Sequence, residues 1–267
     1  MEKEDYNDLR TAVNLLEKPN LSIRLVNLLG YPIEGAIKAL PGRIGQAIGS
    51  TATKAVGTIF YAALSTMDKK SHGRPFRWFH RAMVLVSGAV GGFFGVPGLM
   101  VELPISTTLM LRSIADIARS EGEDLSSLDT HLACITVFAL GGRTKADNAT
   151  ETAYYTVRAA LTRTLSEAAE FIAERGMAEE GTPIVIRVMA NLASRFGVIV
   201  TDKMAAEMVP ILGALGGASI NLLFINHFQA TARGHFIVRR LEKKYGQEFV
   251  KREYEKVLGE LRDDVKK

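Results

Sequence analysis

The sequence predicts an all-α protein, a multi-helix bundle built around a central glycine-rich, kinked apolar helical hairpin. Three observations carry this. Alanine and leucine are abundant, which favours helix over sheet. No stretch alternates apolar and polar residues for long enough to make a half-buried strand; VIRVMA and FGVIVT come nearest, and both sit more easily in helices. Two long apolar runs, Ala82–Leu111 and Met208–Ala232, supply the material of a core, the first with Glu102 as its single charge.

Taken in order, residues 1–18 read as a polar helix. From Ile33 to Leu64 small and apolar residues interleave, with Gly45 and Gly49 one helical turn apart and Pro41 opening or kinking the segment. Met67 to Arg81 changes character: Lys69, Lys70, Arg74, Arg77 and Arg81 stand among Phe76, Trp78 and Phe79. Two readings fit it, a membrane-interface anchor or an exposed basic loop whose aromatics fold into the core.

The run that follows is not a simple membrane span. Gly88, Gly91, Gly92, Gly95 and Gly98 weaken an isolated helix. Pro97–Gly98 then stops it after about 22 Å, short of the ~30 Å hydrocarbon core. A kinked or re-entrant hairpin fits better. Pro104 suits the first turn of the next helix, which runs to Gly122. Ser126 or Ser127 is placed to cap a helix from Leu128 to Leu140, ended by Gly141–Gly142. Thr150 and Glu151 start a long amphipathic helix through Arg175, closed by Gly176.

Pro183 opens a helix through Ser194, with one or two more leading through Lys203. In the second apolar run Gly213 and Gly217 again lie one turn apart. The C-terminal segment is a charged amphipathic helix bent or broken at Gly246. These elements suggest three parts: an N-terminal helical extension over 1–30, a main helical domain over 31–245, and a charged C-terminal helix over 246–267.

Composition narrows the class without naming an activity. The chain has 267 residues, 47% hydrophobic and 23% charged, ordinary for a globular protein. A net charge of +4 suits an anionic membrane surface, but basic residues alternate with acids and leave no nucleic-acid stripe. Cys134 is the one cysteine, which implies a reducing compartment; within LACITVFAL it reads as a small buried hydrophobe. The acidic N-terminus MEKEDYNDLR is the reverse of a signal peptide and points to the cytoplasm.

The stretch GAVGGFFGVPGLMVELPISTTLMLRSIADIA resembles the first signature of the EcsC family of bacterial proteins, in which glycines precede an acid-Leu-Pro triplet and an arginine-bearing helix. The block from Lys203 through PILGALGGASINLLFINHF to FIVRRLEKKYG is similar to the second signature, and Tyr154, Tyr155 and Arg158 match a tyrosine-rich segment between them. The resemblance spans roughly residues 30–250. It implies an all-helical protein whose namesake is encoded beside an ABC transporter, and it implies no particular chemistry. The triplet here is Glu102-Leu103-Pro104, where aspartate is commoner in the family.

Glu102 is the first candidate for a functional group, because a carboxylate in an apolar run is costly to bury unless paired, protonated or bound to a metal. A structural ion pair within a polar core of Glu102, Arg112, Lys203 and Asn221 is the expectation, ahead of a functional acid or an exposed loop acid. If catalysis occurred, Glu102, His227 and Lys203 would be its candidates, although His227 reads more readily as a satisfied core or rim histidine. His72, His80, His131 and His235 lack metal-ligand spacing, so no metal is expected, and no cofactor. GAVGGFFG lacks the strand and the Lys-Ser/Thr of a phosphate loop, and no G-x-S-x-G is present.

The sequence therefore points to a non-enzymatic accessory protein, peripheral or re-entrant at the inner face of the cell membrane. Lys69, Lys70, Arg74, Arg77, Trp78 and Arg81 would touch anionic lipid, and Gly88, Gly92, Gly95, Gly213 and Gly217 would let helices approach closely. Its expected partners are an anionic membrane surface or a membrane protein such as an ABC transporter, with no nucleic acid. The alternatives are a small hydrolase using Glu102 and a soluble helical interaction module.

Overall fold

A computed structural model describes residues 1–17, 57, 105–142, 153–175, 183–207 and 213–266. Among these residues every regular element is a helix and none is a strand. In chain order the helices are α1 (Lys3–Leu16), α2 (105–120), α3 (Leu128–Gly141), α4 (Ala153–Arg175), α5 (Pro183–Glu207), α6 (Gly213–Tyr245) and α7 (Gln247–Lys266). The hairpin expected over Ala82–Leu111 lies outside the described residues except for 105–111, which begin α2.

The axis of the fold is α6, 33 residues and about 50 Å long. It joins two segments of opposite character. The N-terminal half continues the second apolar run, and the C-terminal half carries the Arg239–Lys244 cluster. Helices α1, α3, α5 and α7 all pack on it, and α3 in turn packs on α4 and α5. At the centre Phe138 of α3 meets Phe196 of α5 edge-on at 5.6 Å and Phe228 of α6 at 5.0 Å. All three rings are buried, and α3 is buried almost all round, as its near-continuous apolar sequence requires.

Local chemistry accounts for the ends of several helices. Gly122 has φ +87°, and the N–H groups of Gly122 and Glu123 donate to the carbonyls of Arg119 and Ala118, closing α2 with a left-handed glycine cap. Gly246, also at φ +87°, turns the chain between α6 and α7 at the break that the sequence anticipates. Ser127 does occupy the N-cap position of α3, but its side chain makes no capping bond. Ser126 instead bonds to Asp124, and the His131 ring pairs with the Leu125 carbonyl at 2.7 Å, so the turn before α3 is held by its own polar residues.

One expectation needs correcting. The segment from Pro183 to Glu207 is a single helix, not two or three. Gly197 lies inside it, and one interior glycine costs only about 1 kcal/mol. Buried Val188, Leu192, Phe196 and Val200 more than offset that by presenting one continuous apolar stripe. VIRVMA and FGVIVT both fall within this helix.

α1 joins the same core. Leu9, Ala12, Val13 and Leu16 repeat at helical spacing and are buried against α6 and α7. Gly234 of α6 makes the approach close: a Cβ there would fall 2.6 Å from Leu16 Cγ and 3.1 Å from the Ala12 carbonyl oxygen. Around this contact Arg240 bonds to Asp8 at 2.6 Å and Glu121 at 3.0 Å, and Lys244 to Asp5 at 2.7 Å. No helix among the described residues is long and apolar enough to cross a membrane.

Candidate functional site

Where α3, α4 and α6 meet, two helices present polar side chains at one-turn spacing. From α4 come Tyr154 and Arg158; from α6 come His235, Arg239 and Glu242, all on one face. Arg158 grips Glu242 with two parallel hydrogen bonds, Nη1 to Oε1 at 2.8 Å and Nη2 to Oε2 at 2.7 Å. Such a fork is among the stronger pairings a protein can make. Tyr155 adds a hydrogen bond to the same carboxylate at 3.2 Å.

The tyrosines are held from the other side by α1 and α7. Glu17, at the end of α1, accepts the Tyr254 hydroxyl proton at 2.8 Å and the Tyr154 backbone N–H at 3.3 Å. That N–H belongs to the first turn of α4, where a carboxylate is favoured by the helix dipole. Tyr254 stacks on Tyr154 at 5.6 Å, and Tyr155 meets both rings edge-on.

Arg158 Nη1 donates to the Tyr154 hydroxyl oxygen at 3.1 Å, and the hydroxyl lies 2.9 Å from His235 Nδ1. The tautomer that leaves no hydroxyl proton unspent has the hydroxyl donate to Nδ1. His235 then carries its proton on Nε2. That nitrogen is buried and has no hydrogen-bond partner among the described residues. An unsatisfied buried donor costs about 1–3 kcal/mol, so it calls for an explanation. Burial first, then the charges of Arg158 and Arg239, hold the His235 pKa well below the ordinary histidine value and keep the ring neutral. Burial likewise pushes the Tyr154 and Tyr155 hydroxyls well above the usual range, so both stay protonated.

His235 forms part of the wall of a cavity of about 220 Å³. Leu132, Ala133 and Leu165 make its apolar side, and Thr136, Thr162 and Ser166 bring hydroxyls. Arg158, Arg239 and Asp129 complete the lining. Arg239 donates through Nε to Glu123 at 2.9 Å and through Nη2 to Asp129 at 2.6 Å. Lys243 also reaches Glu123, at 2.8 Å. Burial alone would raise the Glu123 pKa, but the hydrogen bonds from Arg239 and Lys243 outweigh it and hold the carboxylate ionised below the usual range.

The residues singled out from sequence fall elsewhere. Glu102, Lys69, Lys70, Arg74, Arg77, Trp78, Arg81, Gly88, Gly92 and Gly95 lie outside the described residues, and Gly213 and Gly217 lie in the first turns of α6. Arg112, expected in a polar core, is exposed on α2, because its neighbours Leu109, Met110, Leu111 and Ile114 occupy the buried positions. Lys203 and Asn221 are both buried, and the Lys203 ammonium stands 5.6 Å from the centre of the Phe224 ring. His227 is the satisfied histidine its setting suggests: Nε2 pairs with the Gly141 carbonyl at 2.9 Å, at the end of α3. Cys134 is fully buried and burial raises its pKa, so it is no nucleophile in the folded chain. Among the described residues no cluster of metal ligands occurs.

Sequence reasoning noticed Tyr154, Tyr155 and Arg158 but missed His235, Arg239 and Glu242 as their partners. The available signal was the one-turn spacing of His235 and Arg239 within an otherwise apolar helix face. Neither a curated protein nor a solved structure matches the chain. The profile of the EcsC protein family matches residues 33–241, a span that takes in Tyr154, Arg158, His235 and Arg239, and the chain belongs to that family.

Proposed function

We propose that the chain is an accessory protein working at the inner face of the cell membrane, held there by its basic-aromatic segment, with an anionic membrane surface or a membrane protein such as an ABC transporter as its partner. One observation carries the reading. Lys69, Lys70, Arg74, Arg77 and Arg81, interleaved with Phe76, Trp78 and Phe79, immediately precede the apolar run that begins at Ala82. Each basic residue near an anionic surface contributes about 1 kcal/mol, and aromatic side chains favour the headgroup level. The described helices suit a peripheral body, since none is long and apolar enough to span a bilayer. A hydrolase that uses Glu102 with His227 beside it is less well supported, because the His227 Nε2 is engaged at the Gly141 carbonyl.

Vesicle sedimentation tests the proposal. The chain is expected to bind phosphatidylglycerol vesicles at low salt and to ignore phosphatidylcholine vesicles. Replacing Lys69, Lys70 and Arg74 together by Gln should weaken binding by roughly two orders of magnitude. Protein that stays in the supernatant with anionic vesicles at low salt overturns the reading and favours a soluble interaction module instead.

A further inference from the structure

We propose that the cavity between α3, α4 and α6 binds a compact organic monoanion, a short-chain carboxylate whose oxygens take the place of Asp129 on Arg239 and accept the Nε2 proton of His235. The inference stands apart from the membrane reading and uses none of its residues.

Size sets the first limit. A cavity of about 220 Å³ is smaller than the roughly 300–1,000 Å³ of drug-sized sites, so the ligand is small. Hydrogen-bonding capacity sets the second. His235 Nε2 is a buried donor without a partner among the described residues. Arg239 commits Nε and Nη2 to carboxylates and leaves Nη1 without a hydrogen bond among the described residues. The buried Nε2 calls for an acceptor, and the Arg239 guanidinium, one turn away on the same face of α6, offers further donors once Asp129 gives way.

Charge balance sets the third limit. Arg158, Arg239 and Lys243 are matched by Glu242, Glu123 and Asp129, so the site is formally neutral before a ligand arrives. A dianion would leave the pocket strongly negative. A monoanion can exchange with Asp129, the one acid of the set that is mostly exposed, its side chain 72% accessible. An ion pair with so exposed a partner is worth little and is readily displaced. The apolar side made by Leu132, Ala133 and Leu165 suits a short hydrocarbon body and gives inorganic phosphate nothing to fill it. A neutral His235 keeps its Nε2 proton through the physiological range and so remains a donor.

The test uses the full chain labelled with 15N-histidine and titrated separately with butyrate and with inorganic phosphate. Butyrate is expected to move the His235 Nε2 resonance saturably. Asp129→Asn, a surface change that removes the competing charge, should tighten butyrate roughly two- to five-fold. Leu165→Phe narrows the cavity without touching an ion pair and should weaken butyrate roughly ten-fold or more. The proposal is overturned by the absence of a saturable shift in both the wild-type chain and Asp129→Asn. Phosphate moving the resonance where butyrate does not overturns the ligand class. Butyrate binding that is undiminished in Leu165→Phe places the ligand outside the cavity and overturns the site.

Discussion

At the scale of single residues, His235 gathers the most physics into one side chain. It is buried, neutral, bonded at Nδ1 and unpartnered at Nε2 among the described residues. Its pKa is lower in the fold than in the unfolded chain, where a histidine titrates near ~6.5. The unfolded chain therefore binds more protons as pH falls below that value. Stability conferred by the neutral ring is complete above about pH 6.5 and declines as pH drops toward the folded pKa, by at most about 1.4 kcal/mol per pH unit. Urea midpoints should accordingly fall between pH 7 and pH 5, and His235→Phe should flatten that slope; an unchanged slope would contradict a neutral His235. The role of this residue was not legible in the sequence, because its partner Tyr154 lies 81 positions away and no local pattern joins them. His227 was legible: a lone histidine beside apolar neighbours is more often satisfied than reactive, and the Gly141 carbonyl satisfies it.

At the scale of elements, the glycines divide into those that admit a neighbour and those that do not. A Cβ on Gly234 would stand closer to Leu16 Cγ than Cβ atoms come and tight against the Ala12 carbonyl, whereas Gly259 of α7 is exposed with nothing within 4 Å. Gly234→Ala should destabilise the chain by about 1–3 kcal/mol, since α1 must shift outward. Gly259→Ala should stabilise it by up to about 1 kcal/mol through helix propensity alone. Thermal melts of the two variants check both signs, and a neutral Gly234→Ala would refute the close α1–α6 approach. Gly246 was readable as a break because it falls between two amphipathic patterns, and its positive φ confirms why glycine stands there. The unity of α5 was harder to read, since Gly197 resembles a terminus until the stripe of Val188, Leu192, Phe196 and Val200 is seen to continue past it.

At the scale of the whole molecule, the helical class followed from composition and period, but the way the chain closes on itself did not. Arg10 pairs with Asp264 at 3.2 Å, Tyr6 with Glu260 at 2.9 Å, and Glu17 with Tyr254, contacts between positions more than two hundred residues apart. No short-range pattern encodes such pairings. Burial of Leu9, Val13 and Leu16 is worth roughly 5–9 kcal/mol, comparable with the ~5–15 kcal/mol net stability of a folded chain. Deleting residues 1–17 should therefore leave a chain with no cooperative urea transition, and a sharp transition near the full-length midpoint would show that α1 is dispensable. The same contact dictates an order of events during synthesis. α1 is made more than two hundred residues ahead of Gly234, Arg240, Lys244 and Tyr254, the residues it packs against. At about 5–20 residues per second the wait lasts roughly 10–50 s. Through that interval the α6 and α7 surfaces that bury its apolar stripe have not yet been made, so α1 reaches its place only after nearly all of the intervening chain has been synthesised.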